Sequence, residues 1–165
     1  MSKTVSTAII IGIIFCITSC SKDNTSNTPT APASPKGTYT FKGVSYTVTD
    51  ASAGGNILGV DDYSALSSGI GTSVNFYFKN FPTASGVYRI VAGTTPTADS
   101  TVCILYGDNS TSSHYLGGPS VSGTATVTMG SNGKINITIA NPVTLVLQSA
   151  TPTDSGSFTA NVNQQ

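Results

Sequence analysis

The 165-residue sequence has no tryptophan, no glutamate and a single histidine. Each shortage removes chemistry. Without Glu, two carboxylates flanking a glycosidic bond would have to be Asp, and the only adjacent acidic pair is Asp61-Asp62. A Ser-His-Asp site would need His114, with Asp108 nearby in sequence, but no Ser stands in a Gly-x-Ser-x-Gly frame. One His and one Cys in an apolar strand do not make a zinc site. Without Trp, stacking on a sugar ring would fall to Tyr. Charge is scarce too, at 8% of residues against about 25% in typical soluble chains. From Gly37 onward the bases Lys42, Lys79, Arg89 and Lys134 are scattered among six Asp. No basic patch is present to neutralise phosphates, which argues against nucleic acid as a partner. No cofactor motif appears.

Long apolar runs are missing as well. Residues 8–17 are uncharged and mostly aliphatic, but a spanning helix needs roughly 20 such residues. Lys3 precedes the run, and Ile17-Thr18-Ser19-Cys20 closes it. A short positive start, an apolar centre and small residues before a cleavage point suit an export signal. An aliphatic residue, two small ones and a Cys resemble the lipobox of bacterial lipoproteins. That resemblance implies cleavage after Ser19 and a diacylglycerol thioether on Cys20, whose thiolate is the strong nucleophile such a step requires. At ~0.8 kcal/mol per buried CH₂, two or three acyl chains hold a protein to a membrane almost irreversibly.

Cysteine counting follows. Cys16 leaves with the signal and Cys20 carries lipid, so Cys103 alone remains and the mature domain has no internal disulfide. Residues 20–36 form a Pro/Thr/Ser-rich tether without a large apolar side chain. Such a stretch buries too little to offset an ordering cost of ~1–2 kcal/mol per residue, so it is expected to be disordered. At about 3.1 Å per residue an extended tether of this length reaches on the order of 50 Å.

From residue 37 the polarity alternates with a period of two. Thr38-Tyr39-Thr40-Phe41 and Val44-Ser45-Tyr46-Thr47-Val48-Thr49 flank Lys42-Gly43, which predicts a hairpin. Further strands are predicted at 57–60, 73–79, 87–91, 101–106, 124–129, 135–139, 143–147 and 157–162, with Tyr115-Leu116 between two polar stretches. Asn132-Gly133 marks a second hairpin turn. Residues 61–66 are expected to form a loop or one helical turn, 107–114 a polar loop containing His114, and Asn141-Pro142 a break. The sum is one all-β domain over 37–165, an antiparallel β-sandwich of about eight to ten short strands, with a barrel as the alternative.

Candidate ligand-facing residues are Tyr63, Tyr88 and Tyr115, as stacking platforms, with Asp61, Asp62 and Asp108. Loop carboxylates of this kind also fit a calcium site, although no Asp-x-Asp-x-Asp spacing occurs. Cys103 reads as a buried structural thiol. The lipobox, Cys20-Ser21-Lys22-Asp23, the tether and the Thr-rich β-domain together resemble small surface lipoproteins of the Bacteroidota. The resemblance implies palmitate at Cys20, an outer-membrane location facing the cell surface, and no catalytic residues to carry over. Asp99-Ser100-Thr101 matches the short O-glycosylation motif of that group, with Ser100 as acceptor. The expected function is a non-catalytic binding or structural module whose partners are the membrane, through the lipid on Cys20, and a glycan or envelope protein. Two alternatives are carried forward: a glycan-binding accessory of a polysaccharide-uptake system, and a hydrolase using His114 or loop Asp residues.

Overall fold

A computed structural model describes residues 36–62, 71–149 and 153–165. The proposed signal peptide, Cys20, the tether, Tyr63 and most of the expected helical turn lie outside the described residues. The described residues contain eleven strands and no helix.

Alternating residues build the strands. In β5 (Thr72–Phe78) Val74, Phe76 and Phe78 are fully buried while the residues between them stay half-exposed. β9 (Thr124–Met129) and β10 (Ile135–Leu147) pair with Ile137 opposite Val127 and Ile135 opposite Met129. β1 (Gly37–Phe41) and β2 (Val44–Thr47) pair with Phe41 opposite Val44, so Lys42-Gly43 is a two-residue turn. Both turn residues have positive φ, 51° and 79°, the geometry that matches the twist of a hairpin. At the β9–β10 turn only Gly133 has positive φ, at 75°. Asn132 instead accepts a hydrogen bond from Lys134 N at 3.0 Å.

The expected count and pairing need correction. The strand expected over 44–49 ends at Thr47, and a strand not foreseen follows: β3 (Asp50–Gly54) pairs with β4 (Ile57–Asp61) around Gly55-Asn56. β3 lacks large side chains, so its alternation is weak. β10 runs through Asn141-Pro142 as one thirteen-residue strand, and the register against β11 (Ser155–Asn163) shifts between Ile139 and Val143. A bulge is where a strand tolerates a residue with no N–H to donate. The stretch read as a polar loop is a hairpin of β7 (Thr101–Asp108) and β8 (Ser113–Gly117), so His114 lies on a strand. The sheet is also not wholly antiparallel. β6 (Gly86–Ile90) runs parallel to the start of β7, through Arg89 opposite Thr101 and Ile90 opposite Val102.

The strands form a single hydrogen-bonded path, β2-β1-β11-β10-β9-β6-β7-β5-β4-β3, with β8 bridging β7 and β10. β10 meets β9 along its first half and β8 along its last residues, and β7 meets β6 and then β8 in the same way. Five strands therefore close a ring, β10-β9-β6-β7-β8. At the far end, Val48 and Thr49 carry the chain from β2 to β3. Val48 N donates to Gly37 O and Thr49 N to Asp61 O. The result is sandwich-like: the Phe41 and Tyr106 rings, on β1 and β7, meet at 4.2 Å between centroids. One continuous apolar core lies between them, running from Tyr39 and Val48 to Val143 and Val162.

Gly123 sits where the ring is tightest. Its φ is +145°, and its carbonyl accepts from Ile90 N at 3.0 Å. A Cβ there would lie 2.5 Å from Cγ1 of buried Val143. Gly123→Ala should therefore cost ~1–3 kcal/mol in a urea titration, from backbone strain and overpacking together. Adding Val143→Ala removes the steric part, so the double variant should show coupling above ~0.5 kcal/mol.

Candidate functional site

Polar clusters gather where strands end. Lys42 occupies a left-handed position that a non-glycine residue rarely adopts. Its ammonium is held three ways. It pairs with Asp154, donates to the Tyr115 hydroxyl at 3.1 Å, and lies 4.6 Å from the centroid of the Tyr115 ring. Tyr115 in turn donates to Asp154 Oδ2 at 2.6 Å. The cluster ties the β1–β2 turn, β8 and the approach to β11 together. The hydrogen bond to Asp154 pushes the Lys42 pKa up, so the group is a cation and not a base. The same Lys42 contact, with that from Tyr115, holds the Asp154 carboxyl below the usual range.

A second cluster lies where β4 ends and β5 begins. The Tyr39 hydroxyl bonds Thr72 Oγ1 inside the core, and Tyr106 OH donates to Tyr46 OH at 3.4 Å. Burial pushes both the Tyr39 and Tyr106 pKa values upward. Asp62 accepts from Thr72 N at 2.6 Å. Asp61 stands opposite Asp50 in the β3–β4 ladder. Burial first, then Asp50 and Asp62, raise its pKa, while Lys36 sits 3.3 Å from Asp50. Asp108 stands opposite Thr72 in the β5–β7 ladder, but its carboxylate is turned to its own loop. It accepts from Ser110 N at 2.9 Å and Ser110 Oγ at 2.6 Å, which lowers its pKa. Among the described residues no three His, Cys or Asp side chains are grouped so as to hold a metal.

Of the tyrosines read as stacking platforms, Tyr115 and Tyr88 lie among the described residues, and both rings are covered in part. Tyr115 is 7% exposed beneath Lys42. Tyr88 is half-buried, edge-on to Phe78 at 5.3 Å, on the wall of a cleft of about 320 Å³ that it shares with Phe81, Pro82 and Asp99. Asp99 accepts from Asn80 Nδ2 at 2.8 Å and lies 3.6 Å from Lys79. Ser100 is exposed in the turn before β7, and its carbonyl accepts from Arg89 N at 2.9 Å. His114 is exposed opposite Gly107, and no ion pair joins it to a carboxylate among the described residues. Cys103 is fully buried with its thiol 3.5 Å from Ala92 O, and burial pushes its pKa up.

No protein-family model, curated protein or solved structure matches this chain. Its own geometry is therefore the guide. That geometry contains a feature absent from the candidate residues above: the outward face of β1, β11, β10 and β9. There Asn136 Nδ2 donates to Asn161 Oδ1 and Asn163 Oδ1, both at 2.9 Å, and Thr138 Oγ1 donates to Asn136 Oδ1 at 3.0 Å. Period-two alternation places the polar residues of each strand on one face. It did not say that they would meet across strands.

The shifted groups predict how stability follows pH. The folded Asp154 pKa is depressed, so its contribution is present above about pH 4 and is lost as pH falls through the folded value. The melting temperature should drop on acidification below about pH 4, and Asp154→Asn should flatten that limb. Tyr39 and Tyr106 have raised pKa values, so their contribution is present below about pH 10 and is lost as pH rises further. Thermal melts across that alkaline range should show a falling limb, shallower in Tyr106→Phe.

Proposed function

We propose that this protein is a lipid-anchored, non-catalytic module of the bacterial cell envelope, held in the outer membrane through Cys20 and facing the cell surface. The observation that carries the reading is Ile17-Thr18-Ser19-Cys20 at the end of a ten-residue apolar run. The layout past it supports the same reading. A compact β-domain begins at the end of a proline-rich stretch, with Lys36 and Gly37 already tied to the last strand through Asn163 N and Val162. A domain built in this way needs nothing from the lipid or the tether to fold, so the anchor serves placement.

A binding or structural role fits the site chemistry better than catalysis does. Lys42 is fixed as a cation, Asp62 and Asp108 are engaged with backbone N–H groups, and among the described residues no ion pair joins His114 to a carboxylate. A general base needs the reverse: a free lone pair with a matched pKa, within reach of a substrate. The finer architecture we infer is a two-layer antiparallel sandwich with one parallel seam. The contact between β1 and β7 and the bond from Tyr39 to Thr72 across the layers support it.

Labelled palmitate fed to cells making the full chain should be incorporated, and the protein should sediment with outer membranes. Cys20→Ala should abolish the label and release most of the protein from the membrane fraction. Equal label and equal sedimentation in the two would refute the anchoring.

A further inference from the structure

One face of the sheet has almost no charge. The ladders align a row across six strands: Thr47, Thr38, Asn161, Thr138, Thr126 and Val87. Each is opposite the next, and all but half-buried Thr138 are exposed. A second row sets Asn163, Asn136 and Thr128 side by side. No ionisable side chain stands in either row. Charge lies at the margins: Arg89, two residues past Val87 on β6; Lys134, in the turn beyond β9; and Lys36, beside Asn163 and 3.3 Å from Asp50.

The face is also shaped and ordered. A depression of about 230 Å³ runs over β1, β11 and β10, beside the bulge at Ala140, between Thr38, Thr40, Thr159 and Asn161. Another, of about 340 Å³, lies over Asn136, Asn163 and Thr128, reaches Gln164 and Gln165, and has Lys134 on its rim. The amide network of Asn136 stands between them. Both hydrogens of Asn136 Nδ2 are taken up by Asn161, Asn163 and the Val162 carbonyl at 3.2 Å. This fixes the Asn161 and Asn163 side chains with their oxygens toward Asn136 and leaves their own NH₂ groups as donors.

We propose that this face binds a neutral polysaccharide laid across the strands. The proposal rests on the reading of the protein as a surface binding module and names its ligand class. Three features favour that occupant. A face without charge neither attracts an ionic polymer nor gains from one. Pre-set amide and hydroxyl groups match a ligand whose every unit presents hydroxyls, and side chains already held lose little entropy on binding. Strands about 4.8 Å apart repeat the donors and methyls at close to the rise of one sugar in an extended chain. The sheet twist of roughly 20° per strand suits a single polymer chain, which can twist with it, and not a flat crystal surface. The tyrosines are not needed: the Thr methyls and Val87, 62% exposed, offer the apolar contact.

The test is native affinity electrophoresis of the purified full chain in gels containing laminarin, xylan or dextran, with alginate as the anionic control. At least one neutral polymer should retard the protein and alginate should not. Because no ion pair is formed, retardation should persist to ~0.5 M salt. Thr138→Glu and Asn161→Glu should each weaken binding at least tenfold, with melting temperature as the check on folding. Val87→Glu and Thr126→Glu, at exposed positions, serve if the first pair fails to fold. Retardation by none of the three neutral polymers, equal retardation by alginate, shaping of ice crystals in place of polymer binding, or unchanged binding in folded Glu variants would each overturn the proposal. Palmitate labelling at Cys20 is read separately, so loss of one reading does not mask loss of the other.

Discussion

The structure depends on two strands that each pair with three others. β7 is bonded to β5, β6 and β8, and β10 to β11, β9 and β8. Each serves two partners along one edge by dividing its length between them. That division lets β8 and the β6–β9 pair both cross from one half of the sheet to the other. The apolar interior is then enclosed on that side by backbone hydrogen bonds and not by loops. β7 meets the demand with an unbroken apolar run, since Val102, Cys103 and Ile104 are all fully buried. β10 meets it with a bulge over residues 140–142, where its register against β11 shifts. Gly117, Gly118 and Gly123 lie where chain segments cross inside the ring, and an added Cβ at each would come within 3.1 Å of a neighbour. A domain with no disulfide among its described residues has to be fastened in some other way. Here the fastening is a closed ring of strands around one core.

Local pairing was legible in the sequence and distant pairing was not. The Lys42-Gly43 turn and the alternation on either side of Asn132-Gly133 each specify a hairpin within about a dozen residues, and both hairpins formed. The β6–β7 parallel seam could not be read in this way. Its strands are joined by a ten-residue connection whose polar composition looks like that of a turn between antiparallel neighbours. β3 escaped notice because Ala51, Ser52, Ala53 and Gly54 carry too little side chain to alternate visibly. It is specified by its neighbour β4, where Leu58 and Val60 are buried. Pro142 looked like an end because proline lacks a donor. At a register shift the ladder asks for none.

The site was harder to see, for a physical reason. Tyr and Asp draw attention in a charge-poor sequence, yet those described here are mostly occupied. Tyr39 and Tyr106 bond inside the core, Tyr115 serves Lys42 and Asp154, and Asp62 holds the start of β5. The outward Thr and Asn residues draw no such attention one at a time. What distinguishes them is cross-strand register: Asn136 on β10 lies opposite Asn163 and next to Asn161, which come from a segment some 25 residues further along. No window on the sequence contains both.

Scarcity of charge and neutrality of the face are the same design seen at two scales. Lys36, Lys42 and Lys79 each sit at a strand end or turn and are paired with Asp50, Asp154 and Asp99. Such exposed pairs contribute little to stability. Their positions matter more, because each fixes a junction and keeps a full charge off the sheet surface. The aligned rows can then carry hydroxyls and amides across six strands with ionic groups only at their margins. A soluble protein of ordinary composition would intersperse Lys and Glu there. Leaving them out costs solubility, which 48 Ser and Thr residues restore with groups that bond water or a sugar hydroxyl equally well. The composition that first looked featureless thus accounts for a sheet face whose polar groups are hydroxyls and amides.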